Sequence, residues 1–173
     1  MGYLPDDYEV PEPVSAYLKF SEGSTTFRAL TSPIIGWEYW IEKGGKRTPI
    51  RVKDVEEVPD NVRNASDNKN RQKHFWMLVV LDRDSGEVKV LEITQIGIIR
   101  DLSSFIRNEK LGDLRDYDIM INKVGKDRNT KYSVSSLGKE KLSKEVQRMV
   151  DDKLAAIDLE KVFYGESPFL TKE

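Results

Sequence analysis

Apolar residues recur along the chain with two periods, one typical of strands and one typical of helices. Period-two alternation of β-branched and aromatic residues is clearest at 34–41, where Ile35, Trp37, Tyr39 and Ile41 share one face. This pattern, or a continuous apolar run, predicts strands at 17–20, 25–30, 34–41, 74–81, 87–93, 117–123 and 130–135, with a short one at 49–52. Helical spacing predicts helices over 94–109 and 139–163.

The order of these elements indicates a mostly β fold with helices. Strands 25–30 and 34–41 are separated only by Thr31-Ser32-Pro33, which suits one long strand that bends. A bent strand, a hairpin, a helix and a second hairpin follow the order of the OB-fold, a five-stranded Greek-key barrel with its helix between strands three and four. We predict an acidic irregular arm at 1–16, an OB-fold at 17–136, and a C-terminal helix with an acidic tail at 137–173. An α+β sandwich and a pleckstrin-like barrel are the alternatives.

The hairpin at 74–93 has two faces whose assignment depends on the length of its turn. A five-residue turn at 82–86 directs a uniformly apolar set toward the core, namely Leu78, Val80, Val88 and Val90. The opposite face then carries Phe75, Met77, Val79, Lys89 and Leu91. A slip of one residue in the pairing exchanges the two sets.

Composition excludes several classes of protein. The 173 residues include no cysteine, which excludes disulfide frameworks, cysteine-based zinc sites and thiol catalysis. No apolar run reaches the roughly 18 residues of a membrane span, and the first residues lack the form of a signal peptide, so we expect a cytoplasmic protein. Residues 1–16 carry four acids and no base, whereas residues 17–150 carry 25 basic and 20 acidic residues.

Little in the chain indicates catalysis. The single histidine, His74, opens an apolar strand without the neighbours of a catalytic triad or a metal site. Asp116 and Asp118 lie two residues apart, as metal-binding carboxylates can, but solvated residues at a strand start explain them better. We therefore expect no enzyme activity, no cofactor and no metal.

Positive charge concentrates in the two predicted loops that an OB-fold uses to bind oligonucleotides. The loop at 43–73 carries nine basic and five acidic residues, and residues 123–131 carry four basic residues against Asp127. Aromatic residues border both loops, and a base stacked on such a ring contributes about 1–3 kcal/mol. Alternation predicts that about half of these rings face the core. Basic loops beside aromatic strand ends are typical of single-stranded nucleic-acid binding.

The second hairpin resembles that of a known family. Its segments Tyr117-Asp118-Ile119-Met120-Ile121-Asn122-Lys123-Val124-Gly125 and Thr130-Lys131-Tyr132-Ser133-Val134 are similar to a hairpin of phage-type single-stranded-DNA-binding proteins. The stretches Trp37-Glu38-Tyr39-Trp40, Lys46-Arg47-Thr48-Pro49-Ile50-Arg51, Phe75-Trp76 and Leu91-Glu92-Ile93 resemble replication-associated phage proteins of that group.

The resemblance implies an OB-fold that coats single strands during replication, recombination or repair, without sequence preference. It also implies an acidic C-terminal tail that recruits partners and competes with DNA. This chain departs from relatives that carry a Cys/His zinc site, because it has no cysteine. Lys153, Lys161 and Lys172 also dilute the negative charge of its tail.

Three functions from different classes follow. The first is a non-catalytic bacteriophage protein that binds single-stranded DNA in the host cytoplasm, with replication or recombination proteins as further partners and a homo-oligomer as its assembly. Its predicted DNA-binding residues are Trp37, Tyr39, Trp40, Lys43, Lys46, Arg47, Arg51, Lys69, Arg71, Lys73, Phe75, Trp76, Lys126, Arg128, Lys131 and Tyr132. The second is an interaction or assembly module that uses the apolar face at Phe75, Met77, Val79 and Leu91. The third is a carboxylate–metal nuclease at Asp116 and Asp118.

Overall fold

The computed structural model describes Tyr3 and residues 16–170, so most of the arm predicted at 1–16 lies outside the described residues. The strands are β1 Gly23–Ala29, β2 Ile34–Lys43, β3 Lys46–Val52, β4 Lys73–Asp82, β5 Val88–Ile93, β6 Tyr117–Val124 and β7 Lys131–Lys139. The helices are α1 Asp60–Arg63, α2 Ile96–Arg107 and α3 Lys144–Leu154. Among the described residues, no helix is long and apolar enough to cross a membrane.

All seven strands belong to one antiparallel sheet in the order β3-β2-β4-β1-β6-β7, with β5 paired to β4. β1 and β2 follow each other along one edge of β4, where Ala29 pairs with Val80 and Ile34 pairs with Met77. Between them the chain bends at the predicted place, and the Val79 N–H donates to Thr31 Oγ1 at 3.1 Å. Within the described part of the chain β5 does not pair with β7, so the sheet is not closed. The mostly β class is confirmed, but seven strands in an unclosed sheet replace the five-stranded barrel that we predicted.

The main core lies between the sheet and α2. The predicted helix at 94–109 is confirmed, and Ile98 and Leu102 of α2 pack into a cluster with Phe27, Leu78 and Ile119. These side chains are almost fully removed from solvent. Burial of a large apolar side chain stabilises the fold by about 1.5–3 kcal/mol, so this cluster fixes the position of α2 against the strands.

β4 and β5 pair one residue away from the predicted register. Asp82 still pairs with Glu87, so the turn spans only residues 83–86, and the Gly86 N–H donates to the carbonyl oxygen of Asp82 at 2.8 Å. Leu78 therefore faces Leu91, and Val79 faces Val90. The predicted faces of β5 are wrong, because this slip turns Leu91 into the main core and Val90 to the opposite face.

The outer face of β4 and β5 is covered by the C-terminal segment. Met77 and Val79 pack there against Leu159 and Val162 of a six-residue 3-10 turn, Leu159–Tyr164. The single helix predicted over 139–163 is instead the end of β7, then α3 and this turn, since Ser143 Oγ accepts the Val146 N–H and starts a new helix. Residues 151–170 are thus a packed part of the fold, and a free acidic tail is not present before residue 171.

A third, smaller cluster lies under the connection between β3 and β4. Val58 and Val62 of that connection pack on Tyr39 of β2. The loop predicted over 43–73 therefore contains a full strand, β3, and a connection that is anchored by apolar contacts.

Candidate nucleic-acid interface

The β2–β3 hairpin and the start of β4 form a groove that we call the basic groove. It has a volume of about 390 Å³ and is lined by Trp40, Arg47, Lys69 and Lys73. Trp40 is 43% exposed and is the most exposed of the three tryptophans. The guanidinium carbon of Arg47 lies 5.7 Å from the centroid of its ring, within the range of a cation–π contact. One aromatic surface is thus surrounded by three cations.

Local sequence explains why these side chains meet. Gly44 and Gly45 have φ of +59° and +79°, which a two-residue hairpin turn needs, so β2 reverses tightly into β3. In the resulting register Trp40 pairs with Pro49, and Arg47 lies two residues before Pro49 on the same face. Lys69 lies in the 3-10 turn Asn68–Asn70, which starts where Asp67 Oδ1 accepts the Lys69 N–H at 3.0 Å.

The cations of this region are not neutralised. Within residues 16–170, no carboxylate oxygen lies within 4.0 Å of the charged groups of Arg47, Lys69 or Lys73. Lys43 and Lys46 flank the turn of the hairpin, pair with each other in the register, and are equally exposed. Arg71 is also exposed, but its Nε donates to the carbonyl oxygen of Ala65 at 2.6 Å. The groove can therefore attract anions.

A second basic surface lies at the β6–β7 turn, where Lys126, Arg128 and Lys131 are exposed. Gly125 has φ of +91°, and a Cβ there would collide with the carbonyl oxygen of Asn129, so only glycine allows this turn. A cavity of about 310 Å³ at the turn is lined in part by Lys123 and Lys126. Lys123 is not among the predicted site residues, although its position directly before the turn is the signal that could have identified it.

The two basic surfaces are separate. Gly23, at the start of β1, pairs with Lys123 beside the β6–β7 turn, whereas the β2–β3 turn follows Lys43 at the end of β2. The turns therefore lie at opposite ends of the path formed by β1 and β2, and their cavities share no lining residue. The prediction that both loops line one surface is not supported.

Several predicted stacking residues belong to the interior. Tyr39, Phe75 and Trp76 are at most 8% exposed and lie in the three apolar clusters, so they cannot stack on a base in this fold. Trp37 is half-buried and packs on the ring of His74, with centroids 4.8 Å apart. Tyr132 is half-buried against Phe20, at 6.1 Å between centroids. Trp40 is the predicted aromatic residue that the fold leaves available.

The guanidinium of Arg51 is also engaged by other side chains. Its Nε donates to Glu38 at 3.1 Å and its Nη2 donates to Glu92 at 2.7 Å. Burial, together with hydrogen bonding to Glu38, raises the pKa of Glu92 to about 8 against the opposing charge of Arg51. Because the Arg51 guanidinium donates to both Glu38 and Glu92, it is not free to bind a phosphate group.

The structure does not support the features on which the assembly-module and nuclease interpretations rest. Phe75, Met77 and Val79 are covered by the C-terminal segment and Leu91 lies in the main core, so the apolar face proposed for an assembly module is not exposed. The Asp118 carboxylate accepts from Arg28 at 2.8 Å and lies 3.3 Å from Arg83. Within residues 16–170, no three acidic or histidine side chains are grouped as a metal site requires.

Comparison with known proteins finds a similar phage protein. No protein-family model matches the chain. Over 141 residues the chain is 25% identical to a protein of Escherichia phage T5 named "probable ssDNA-binding protein". The alignment covers 70% of this chain and 54% of that protein, so the chain spans about half the length of its curated relative. The match confirms the resemblance to phage-type single-stranded-DNA-binding proteins that the hairpin motifs indicated.

Proposed function

We propose that this protein binds single-stranded DNA without catalysing a reaction, and that the basic groove is its principal contact. One observation carries the proposal: Trp40 presents an exposed ring in a groove whose cations, Arg47, Lys69 and Lys73, have no acidic partner among the described residues. The name of the phage T5 relative supports the same class of ligand. The groove residues are the first set that a mutational test should address.

The groove supplies two kinds of binding energy. A base stacked on Trp40 contributes about 1–3 kcal/mol and needs no particular sequence. Three cations on the phosphates of a single strand give a slope of about −2 for the logarithm of affinity against the logarithm of salt concentration. Lys43 and Lys46, at the tip of the same hairpin, would extend the contact by further phosphates.

The fold supports a finer proposal, namely an OB-like architecture. The β1–β2 path is a bent first strand, β4 and β5 are the second and third strands, α2 follows them, and β6 and β7 are the last two. β3 is then an addition that extends the first strand into a hairpin and builds the basic groove. We propose that the protein coats exposed strands during replication, recombination or repair in the host cytoplasm, with self-association and partner proteins as further steps.

An oligo(dT) titration tests the proposal. Binding should quench tryptophan fluorescence, and Trp40→Ala should weaken binding by roughly 5- to 150-fold, the equivalent of one lost stack. Tyr164→Ala is the matched control, because Tyr164 is an exposed aromatic residue outside the groove, at 78% exposure. If Trp40→Ala and Tyr164→Ala bind oligo(dT) equally well, the groove is not the binding site.

A further inference from the structure

A third cavity lies between the end of β7 and the start of α3. Its volume is about 540 Å³. Its lining includes Arg28 of β1, Arg115 before β6, Lys139 at the end of β7, and Lys141 two residues after that strand. Pockets for small ligands span about 300–1,000 Å³, so the cavity has room for a phosphorylated group. It shares no lining residue with the basic groove or with the cavity at the β6–β7 turn.

Arg28 is buried at the wall of this cavity and keeps unused donors. It is only 2% exposed. Its Nε donates to Asp118 at 2.8 Å, and its Nη1 donates to the carbonyl oxygens of Glu140 and Arg115 at 2.8 and 3.4 Å. Its Nη2 forms no hydrogen bond with the described residues, and it remains accessible to solvent. Because the guanidinium lines the cavity, the Nη2 hydrogens are available to a ligand there.

The charge around Arg28 is not balanced by its neighbours. Asp118 is shared with Arg83, whose Nε lies 3.3 Å away, so one carboxylate serves two guanidiniums. In the described part of the chain no carboxylate lies within 4.0 Å of the ammonium groups of Lys139 or Lys141. Arg115 is paired with Asp113 at 2.6 Å, but the lining has four basic residues against two acidic ones, so it carries excess positive charge.

The two acidic residues in the lining are built into the wall through their backbones. The Glu140 N–H donates to the carbonyl oxygen of Asp116 at 3.1 Å, and the Glu140 carbonyl oxygen accepts from Arg28. Both residues are exposed, which leaves their carboxylates room to point toward solvent.

We propose that this cavity binds a phosphate group through Arg28 Nη2, Lys139 and Lys141. Arginine presents planar paired donors and lysine a mobile point charge, a combination that suits the several oxygens of phosphate. The phosphate belongs either to a free or terminal phosphomonoester or to a phosphodiester within a bound strand. The site stands apart from the basic groove, so it can exist whether or not the groove binds DNA.

Inorganic phosphate, titrated at constant ionic strength and followed by NMR of the arginine side chains, is the direct probe. We expect saturable binding that shifts the Arg28 guanidinium signals. Lys139→Ala with Lys141→Ala should weaken that binding about tenfold or more, since each charge-assisted hydrogen bond contributes about 1.5–3 kcal/mol. Lys19→Ala with Lys110→Ala, two exposed lysines outside the cavity, is the control and should bind as the wild type does.

Oligonucleotides with and without a 5′ phosphate identify the source of the phosphate. Preference for the 5′-phosphorylated strand, lost in the Lys139/Lys141 double variant, assigns a terminal phosphomonoester. Equal weakening of both strands in that variant assigns a phosphodiester. Absence of saturable phosphate binding, or equal affinity in the double variant and the wild type, would overturn the site, whereas Trp40→Ala should leave phosphate binding unchanged.

Discussion

Replacing Glu92 by glutamine should remove most of the dependence of stability on pH between about pH 5 and 8. Arg51 lies between two acids, 2.7 Å from Glu92 and 3.1 Å from Glu38. Burial, with hydrogen bonding to Glu38, raises the pKa of Glu92 from 4.5 to about 8. In the folded protein Glu92 therefore keeps its proton at neutral pH, whereas the unfolded chain loses it near pH 4.5.

The sign and the size of the effect follow from this difference. Between the two pKa values unfolding releases a proton, so the free energy of unfolding falls as the pH rises, and it levels off above about pH 8. At 1.36 kcal/mol per pH unit, the shift from 4.5 to about 8 corresponds to roughly 5 kcal/mol, of which about 4 kcal/mol falls between pH 5 and 8. Glutamine is neutral throughout and can still accept from Arg51 and donate to Glu38, so Glu92→Gln should equal the wild type at pH 5 and exceed its stability at pH 8.

Urea unfolding followed by circular dichroism at pH 5, 6, 7 and 8 measures how the free energy of unfolding depends on pH in the wild type and in Glu92→Gln. The difference in the free energy of unfolding between wild type and Glu92→Gln cancels the contributions that both proteins share. Glu87→Gln is the matched control, because Glu87 is an exposed glutamate directly before β5. A wild-type curve that rises or stays level from pH 5 to 8, or one that Glu92→Gln leaves unchanged, would refute the reasoning.

Three further predictions address the groove, a turn and the core. Lys69→Ala with Lys73→Ala should make the salt slope for oligo(dT) shallower by about 1.4, as titrations at several salt concentrations would show, and Lys19→Ala with Lys110→Ala should not change it. Gly125→Ala should destabilise the fold by about 1–3 kcal/mol in urea unfolding, because its φ is +91° and the Cβ would collide with the backbone. Gly97→Ala, in α2 with open space around it, should instead be neutral or stabilising by up to about 1 kcal/mol. Phe75→Ala should cost about 3–5 kcal/mol of stability while the folded fraction keeps its affinity for oligo(dT), since Phe75 is fully buried.

Most strand positions were predictable from the sequence because local periodicity determines them. The strand predicted at 17–20 is wrong, since Tyr17 forms only an isolated bridge with Val90. The bend between β1 and β2 and the helix α2 also agree with the pattern of Thr31-Ser32-Pro33 and of the apolar residues at helical spacing. The register of β4 with β5 was not predictable, because one residue decides whether Asp82 belongs to the turn or to the strand. β3 was underestimated since Pro49 weakens the strand pattern, although proline is tolerated at the edge of the sheet where β3 lies.

The chemical character of the candidate site was predictable, but its members were not. Alternation alone places Trp40 opposite to Tyr39 on β2, yet it does not say which face is solvent-exposed. That choice depends on Val58 and Val62, which are distant in sequence from β2 and cover the face that carries Tyr39. Phe75 was misassigned for a similar reason, because residues 159–163 cover its face of β4 only in the folded chain.

The sealed outer face of β4 and β5 restricts how the protein can bind a strand. In many OB-folds that face contacts the oligonucleotide, but here Met77, Val79 and Val90 are buried beneath the C-terminal segment. One exposed ring, Trp40, provides about 1–3 kcal/mol, far less than the roughly 8 kcal/mol that a micromolar complex requires. Most of the affinity in our proposal must therefore come from cations in the basic groove and at the β6–β7 turn, which makes binding strongly dependent on salt. Occupying both surfaces with one strand would require a strand long enough to follow the whole β1–β2 path, so affinity should rise with oligonucleotide length.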